Sequence, residues 1–108
     1  MRPASLAIVV AALLASMPPL LAQGKRGDAA SGRHYAQAWC TECHSVERET
    51  AGTGQFAPDF TAIAKRRSTS ARSLQDFFRS QHRLMPDFEL TAGETDDIVA
   101  YILSLKRR

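Results

Sequence analysis

The chain has 108 residues, 44% hydrophobic and 7% aromatic, with 14 Lys and Arg against 11 Asp and Glu for a formal net charge of +3. That length supports one domain, and so small an excess of positive charge, with no aromatics interleaved among the basic residues, excludes a nucleic-acid-binding reading. A domain of this size buries only about 60 to 65% of the surface its unfolded chain exposes, so a disulfide, metal or cofactor is expected to add to its stability.

Met1-Arg2, an apolar run from Leu6 to Ala15, and then Pro18-Pro19-Leu20-Leu21-Ala22 before Gln23-Gly24-Lys25 have the order of a secretory leader. Cleavage is expected after Ala22, with residues 1–22 a signal peptide and 23–108 the domain. The alternative is a retained anchor, but Pro18-Pro19 interrupts the run before the roughly 20 apolar residues that span a bilayer. The mature chain is expected to be soluble, without a membrane span, and periplasmic.

Asp28 is a natural N-cap for a helix running to Trp39. Gly32, Tyr35, Ala36 and Trp39 follow i, i+3, i+4, i+7 on one face, and the glycine would let another helix cross closely. That helix delivers Cys40-Thr41-Glu42-Cys43-His44. A Cys40–Cys43 disulfide would close almost no loop and would restrict the unfolded chain little. A thioredoxin-like redox site needs a preceding strand and a βαβ pattern that the sequence lacks. A structural zinc site wants four ligands, and His34 and His82 do not complete it. Cys-x-x-Cys-His is the c-type haem attachment pattern. The two thiols reach the vinyl-derived positions on one porphyrin edge, and the next side chain turns under the ring toward iron. His44 is then expected to bind iron through Nε2 and to donate its Nδ1 proton to a carbonyl.

Residues 45–57, with Gly52 and Gly54 and no clean period, read as a loop, and Pro58 interrupts any helix there. Phe60, Ile63 and Ala64 fit a short helix ending in Lys65-Arg66-Arg67 and a Ser68-Thr69-Ser70 turn. Leu74, Phe77 and Phe78 repeat at helical spacing as core positions. The break that follows contains Met85, the only methionine after the leader. Thr91-Ala92-Gly93-Glu94 is a capping box that opens a final helix with Ile98, Tyr101, Ile102 and Leu105 on its apolar face.

Taken in order, the Gly32/Tyr35 helix, Cys-x-x-Cys-His, Pro58, Met85-Pro86 and the Tyr101 helix make the chain resemble the class I monohaem cytochrome c family, in its compact bacterial form. The resemblance implies an all-α fold whose N- and C-terminal helices cross, with two short helices and loops around one covalently bound haem c. It also implies that the Pro58 carbonyl accepts the hydrogen bond from His44 and that the Met85 thioether is the second iron ligand. The cofactor-binding residues would be Cys40, Cys43, His44, Pro58 and Met85, with His44 and Met85 on the metal and no catalytic residue. Met85 as core filler and His82 as the competing ligand are the alternatives. Trp39 is expected to pack beside the haem, and His34 to face solvent.

A six-coordinate His/Met haem implies a periplasmic carrier of single electrons rather than an enzyme. Its expected partners are a periplasmic dehydrogenase or a terminal oxidase or reductase, with no nucleic acid, and the carrier itself a monomer. Lys65, Arg66, Arg67, Arg72, Arg79 and Arg83 read either as a docking surface for an acidic partner or as a merely solvated basic face. Two rival readings are a site where Met85 dissociates to admit a small ligand, and an electron-entry subunit of a larger oxidoreductase.

Overall fold

The Asp28 carboxylate accepts the Ser31 amide at 3.1 Å and so caps helix α1, Ala29–Trp39. The computed structural model describes residues 27–52, 56–80, 85 and 89–107. The leader, His82, Arg83 and Pro86 lie outside them. The described residues are all-α, with four α-helices, one short 3-10 turn at Arg48–Thr50 and no strand.

Helix α4, Ala92–Ser104, carries the reciprocal cap expected of Thr91 and Glu94. The Thr91 amide donates to Glu94 Oε2 at 3.3 Å, and the Glu94 amide donates to Thr91 Oγ1 at 3.1 Å. Its apolar face buries Ile98, Val99, Tyr101 and Ile102. These side chains form the centre of the core with Ala36, Val46, Phe60, Ala64, Leu74 and Leu105.

The crossing of α1 and α4 is closer than side chains would permit. A Cβ at Gly32 would overlap the backbone carbonyl of Asp97, and one at Gly27 would overlap that of Asp96. Neither obstacle is a side chain that could swing away. The Asp28 amide donates to Asp97 Oδ1 at 2.7 Å, so a polar contact pins the same junction. Only Gly32 was legible as a crossing residue, because Gly27 precedes the helix and belongs to no periodic face.

Helix α2, Phe60–Lys65, and helix α3, Ala71–Arg79, both pack against α4. Ser70 caps α3 in a second reciprocal box, its amide donating to Ser73 Oγ at 2.8 Å while the Ser73 amide donates to Ser70 Oγ at 3.0 Å. The sequence offered Ser70 only as a turn residue, since a capping box ordinarily carries Glu or Gln where Ser73 stands. Among the described residues no helix is long and apolar enough to cross a membrane.

Trp39 departs from its expected place. It is 37% exposed and stacks on Tyr35, with ring centroids 5.0 Å apart and planes within 6°. The buried side of α1 is Gly32 and Ala36. Because α4 lies so close over Gly32, it leaves no depth on that face for an indole, and the two large aromatics pair along the helix flank instead.

Candidate functional site

The Cys40–His44 segment continues α1 as a tight turn. The Cys40 amide bonds Ala36 O at 2.9 Å, and the His44 amide bonds Cys40 O at 2.9 Å. Three consecutive residues then pair with the stretch that opens α2. The Ala57 amide donates to Cys43 O at 3.1 Å, His44 Nδ1 lies 2.6 Å from Pro58 O, and the Phe60 amide donates to Ser45 O at 2.9 Å. A carbonyl can only accept, so the His44 proton is on Nδ1 and Nε2 carries the lone pair. The Asp59 carboxylate accepts from the Gly52 amide, closing the intervening loop at its base. Gly52 sits at φ +88°, a conformation that favours glycine.

Phe60 supports the imidazole from the side. Its ring centroid is 5.2 Å from that of His44, and Phe60 in turn meets Tyr101 of α4 at 6.4 Å. The Tyr101 hydroxyl donates to Val46 O at 2.5 Å, tying the loop after the motif to the terminal helix. Burial, and then the nearby Glu47 carboxylate, pushes the Tyr101 phenol up to about 12, so it stays a donor. Glu47 also accepts from Arg33 Nε at 3.0 Å and from Gln37 Nε2 at 2.6 Å. Burial would raise the Glu47 carboxyl, but Arg33, Gln37 and Tyr101 together hold it below its ordinary value.

Cys40, His44, Pro58 and Met85 line one cleft of about 400 Å³. Its walls are otherwise mostly apolar, with Phe60 and Ile63 of α2, Leu74, Phe77 and Phe78 of α3 and Ile102 of α4. Cys43, half-buried in the same turn, is the one expected site residue that does not line it. Met85 is half-buried. Burial, and to a smaller degree Cys43, pushes the Cys40 thiol up to about 11. The thiol is therefore held in its neutral form in the free chain. Among the described residues no group of three or more His, Cys, Asp or Glu side chains could hold a metal ion.

The family model described as cytochrome C oxidase, cbb3-type, subunit III matches residues 27–102. The chain belongs to this family of c-type cytochromes. It is 38% identical over 79 residues to a protein named cytochrome c-552 from Bradyrhizobium diazoefficiens, covering 73% of this chain and 76% of that one. It is 31% identical over 105 residues to a cytochrome c-553-like protein from Synechocystis sp., covering 94% and 95% of the two chains. No solved structure matches.

The cofactor of this cytochrome is haem c, covalently bound, and Cys40 and Cys43 are its Cys-x-x-Cys-His cysteines. The residues present fit that group. The cleft has the size and apolar lining of a cofactor pocket, and it brings an imidazole with an unengaged Nε2 and a soft thioether onto its walls. Haem-based electron transfer is the activity of the family, and it requires redox partners.

Sequence reasoning singled out the motif, Pro58 and Met85, and read Leu74, Phe77 and Phe78 as core positions, where the structure puts all three on the cleft wall. It missed the polar stretch Arg66, Ser68, Thr69 and Ser73, which also lines the cleft. The run of basic and hydroxyl residues there carried no period, so a turn and a lining wall looked alike.

Proposed function

We propose that this cytochrome is an exported single-electron carrier rather than an enzyme, with His44 and Met85 as the two axial ligands of its haem. The observation that carries the reading is the common cleft. His44, its ring fixed through Nδ1 by the Pro58 carbonyl, shares that cleft with Met85 and with the Cys40 thiol. When bound, the haem supplies a one-electron couple, and a histidine–methionine pair raises its potential relative to two histidines. The chain's own work is positional. Pro58 sets the imidazole's tautomer and orientation, and the hydrogen-bonded carbonyl increases its basicity as a ligand. Phe60, Leu74 and Phe78 keep water from the ring.

With the leader removed, the carrier is a periplasmic monomer. It meets a periplasmic dehydrogenase on one side and a terminal oxidase or reductase on the other. Lys65, Arg67, Arg72 and Arg79 are exposed beside the cleft-lining stretch and suit an acidic partner surface.

Two measurements test the ligation. Haem that stays with the denatured chain through organic extraction supports thioether attachment at Cys40 and Cys43, and haem that washes out refutes it. Met85→Ala should abolish the weak far-red iron–sulfur absorption of the ferric protein; a band that persists means another ligand. Ready binding of carbon monoxide to the reduced wild type would count against a saturated carrier.

The description of the matching family, a subunit of an oxidase, favours one second reading. In it the chain is the electron-entry subunit of a larger complex and shares the same site. The size of the native protein in cell extract separates the two, since a free carrier runs at its own mass.

A further inference from the structure

Large apolar side chains left at the surface of a small domain mark a contact when they gather in one place. Among the described residues the exposed ones are Trp39, Phe56 and Phe77, and each borders the haem site. Phe77 lines the cleft. Phe56 precedes Ala57, whose amide bonds the Cys43 carbonyl. Trp39, the one tryptophan of the chain, immediately precedes Cys40.

Trp39 is held in a fixed pose. Its indole lies within 6° of parallel to the Tyr35 ring at a centroid separation of 5.0 Å, and Tyr35 in turn packs against the core. The anchored phenol therefore sets the orientation of an indole that stays partly open to solvent. Cys40 is buried and lines the cleft. Its sulfur carries the haem on the inner side, while its backbone nitrogen is bonded to Trp39. A short covalent path thus joins the porphyrin edge to an exposed π face.

That face is uncharged. Ser31, Tyr35, Ala38 and Trp39 share one flank of α1 at helical spacing. The arginine of this helix, Arg33, lies on the other flank with Gln37, and both bond Glu47. The exposed cations Lys65, Arg66, Arg67, Arg72 and Arg79 belong to α2, α3 and the connection between them.

We propose that Trp39, backed by Tyr35, is an electron-exchange contact that couples the Cys40 edge of the haem to a redox protein presenting an uncharged apolar surface. The proposal rests on the carrier reading above and gives the carrier a second face besides the basic one. Tryptophan and tyrosine suit such a contact because they bring large apolar area on rigid rings. One electron crosses from the ferrous protein to the ferric one; no bond breaks and no proton moves.

The probe is the cytochrome itself, since a second copy presents the same uncharged flank. Self-exchange between oxidised and reduced holoprotein is read from NMR line widths in mixtures of the two. Donor and acceptor are then the same variant, so any change in midpoint potential cancels. Trp39→Leu should slow self-exchange severalfold with the visible spectrum and the far-red band unchanged, and Trp39→Phe should restore most of the rate. Two basic faces repel, so salt would accelerate exchange through them. Exchange through the neutral flank should respond little to salt.

A Trp39→Leu rate equal to that of the wild type overturns the proposal, as does a wild-type rate that climbs steeply with salt. If Trp39→Leu fails to accumulate with haem, the wild type decides. In the fully reduced protein, where no electron moves, the single indole N–H resonance should shift with protein concentration, and a resonance that stays fixed overturns the proposal. The far-red band keeps the two readings apart. An unchanged Trp39→Leu rate with that band intact sinks only the role of Trp39, whereas absence of the band from the wild type sinks the ligation on which the carrier reading stands.

Discussion

His44 Nδ1 stands 2.6 Å from the carbonyl oxygen of Pro58, and the pair is flanked by backbone bonds from Ala57 to Cys43 and from Phe60 to Ser45. The imidazole is thus oriented by main chain, and the main chain is held on either side of it. Proline suits the position because it fixes φ and adds no competing N–H. Pro58→Ala keeps a carbonyl there but frees the turn in the unfolded chain. Stability should fall by about 0.5–1 kcal/mol, and the far-red ferric band should be lost at a lower temperature than in the wild type. An unchanged thermal profile of that band would mean that the flanking bonds hold the ring without the proline.

Gly32→Ala tests the helix crossing. Alanine is the better helix former by about 1 kcal/mol, so on local propensity the variant would be more stable. The Asp97 carbonyl is backbone and cannot step aside, so α1 and α4 must separate at the centre of the core. The overpacking cost should win, with a net loss of about 1–3 kcal/mol in a denaturant titration. Stabilisation would show that the crossing can open without penalty.

The Glu47 cluster gives the protein a defined acid limb. The folded-state pKa of Glu47 is depressed by Arg33, Gln37 and Tyr101 against the opposing effect of burial. A depressed carboxyl contributes stability in full above its unfolded value, about 4.3, and loses it as pH falls through the lower folded value. Glu47→Gln should therefore be less stable than the wild type at neutral pH, with the difference shrinking below about pH 4. Parallel stability curves from pH 7 to pH 3 would remove Glu47 from the account.

Trp39 stacks on Tyr35 along the outside of α1 and does not line the cleft. Trp39→Ala should cost about 0.5–1.5 kcal/mol through the lost stacking while leaving the haem absorption and its far-red band unchanged. A shifted band would place the indole against the cofactor after all.

Much of this molecule is decided within short windows of sequence. The Asp28 and Thr91 caps, the apolar face from Ile98 to Leu105, and the Cys40–His44 motif each depend on residues a few positions apart. Their physics is local, so they can be read without the fold. Pro58 and Met85 could be singled out only through a family likeness, because nothing local says that a carbonyl 14 residues on will meet His44.

What remained was decided by approach of distant segments. Gly27 is a residue before a helix until Asp96 arrives over it, and Trp39 belongs to the same periodic stripe as Ala36 until α4 takes the room on that face. Arg66 sits in a basic run with Lys65 and Arg67, and only the extended turn that ends α2 turns one of the three into the cleft's cation. The sequence by itself determined the helices, the Asp28 and Thr91 caps and the haem attachment motif, since these follow from backbone hydrogen bonding and side-chain spacing. The tertiary structure alone decided that Gly27 joins Gly32 at the crossing, which aromatics stay outside and which charge lines the cleft, because those depend on how closely distant segments of the chain pack.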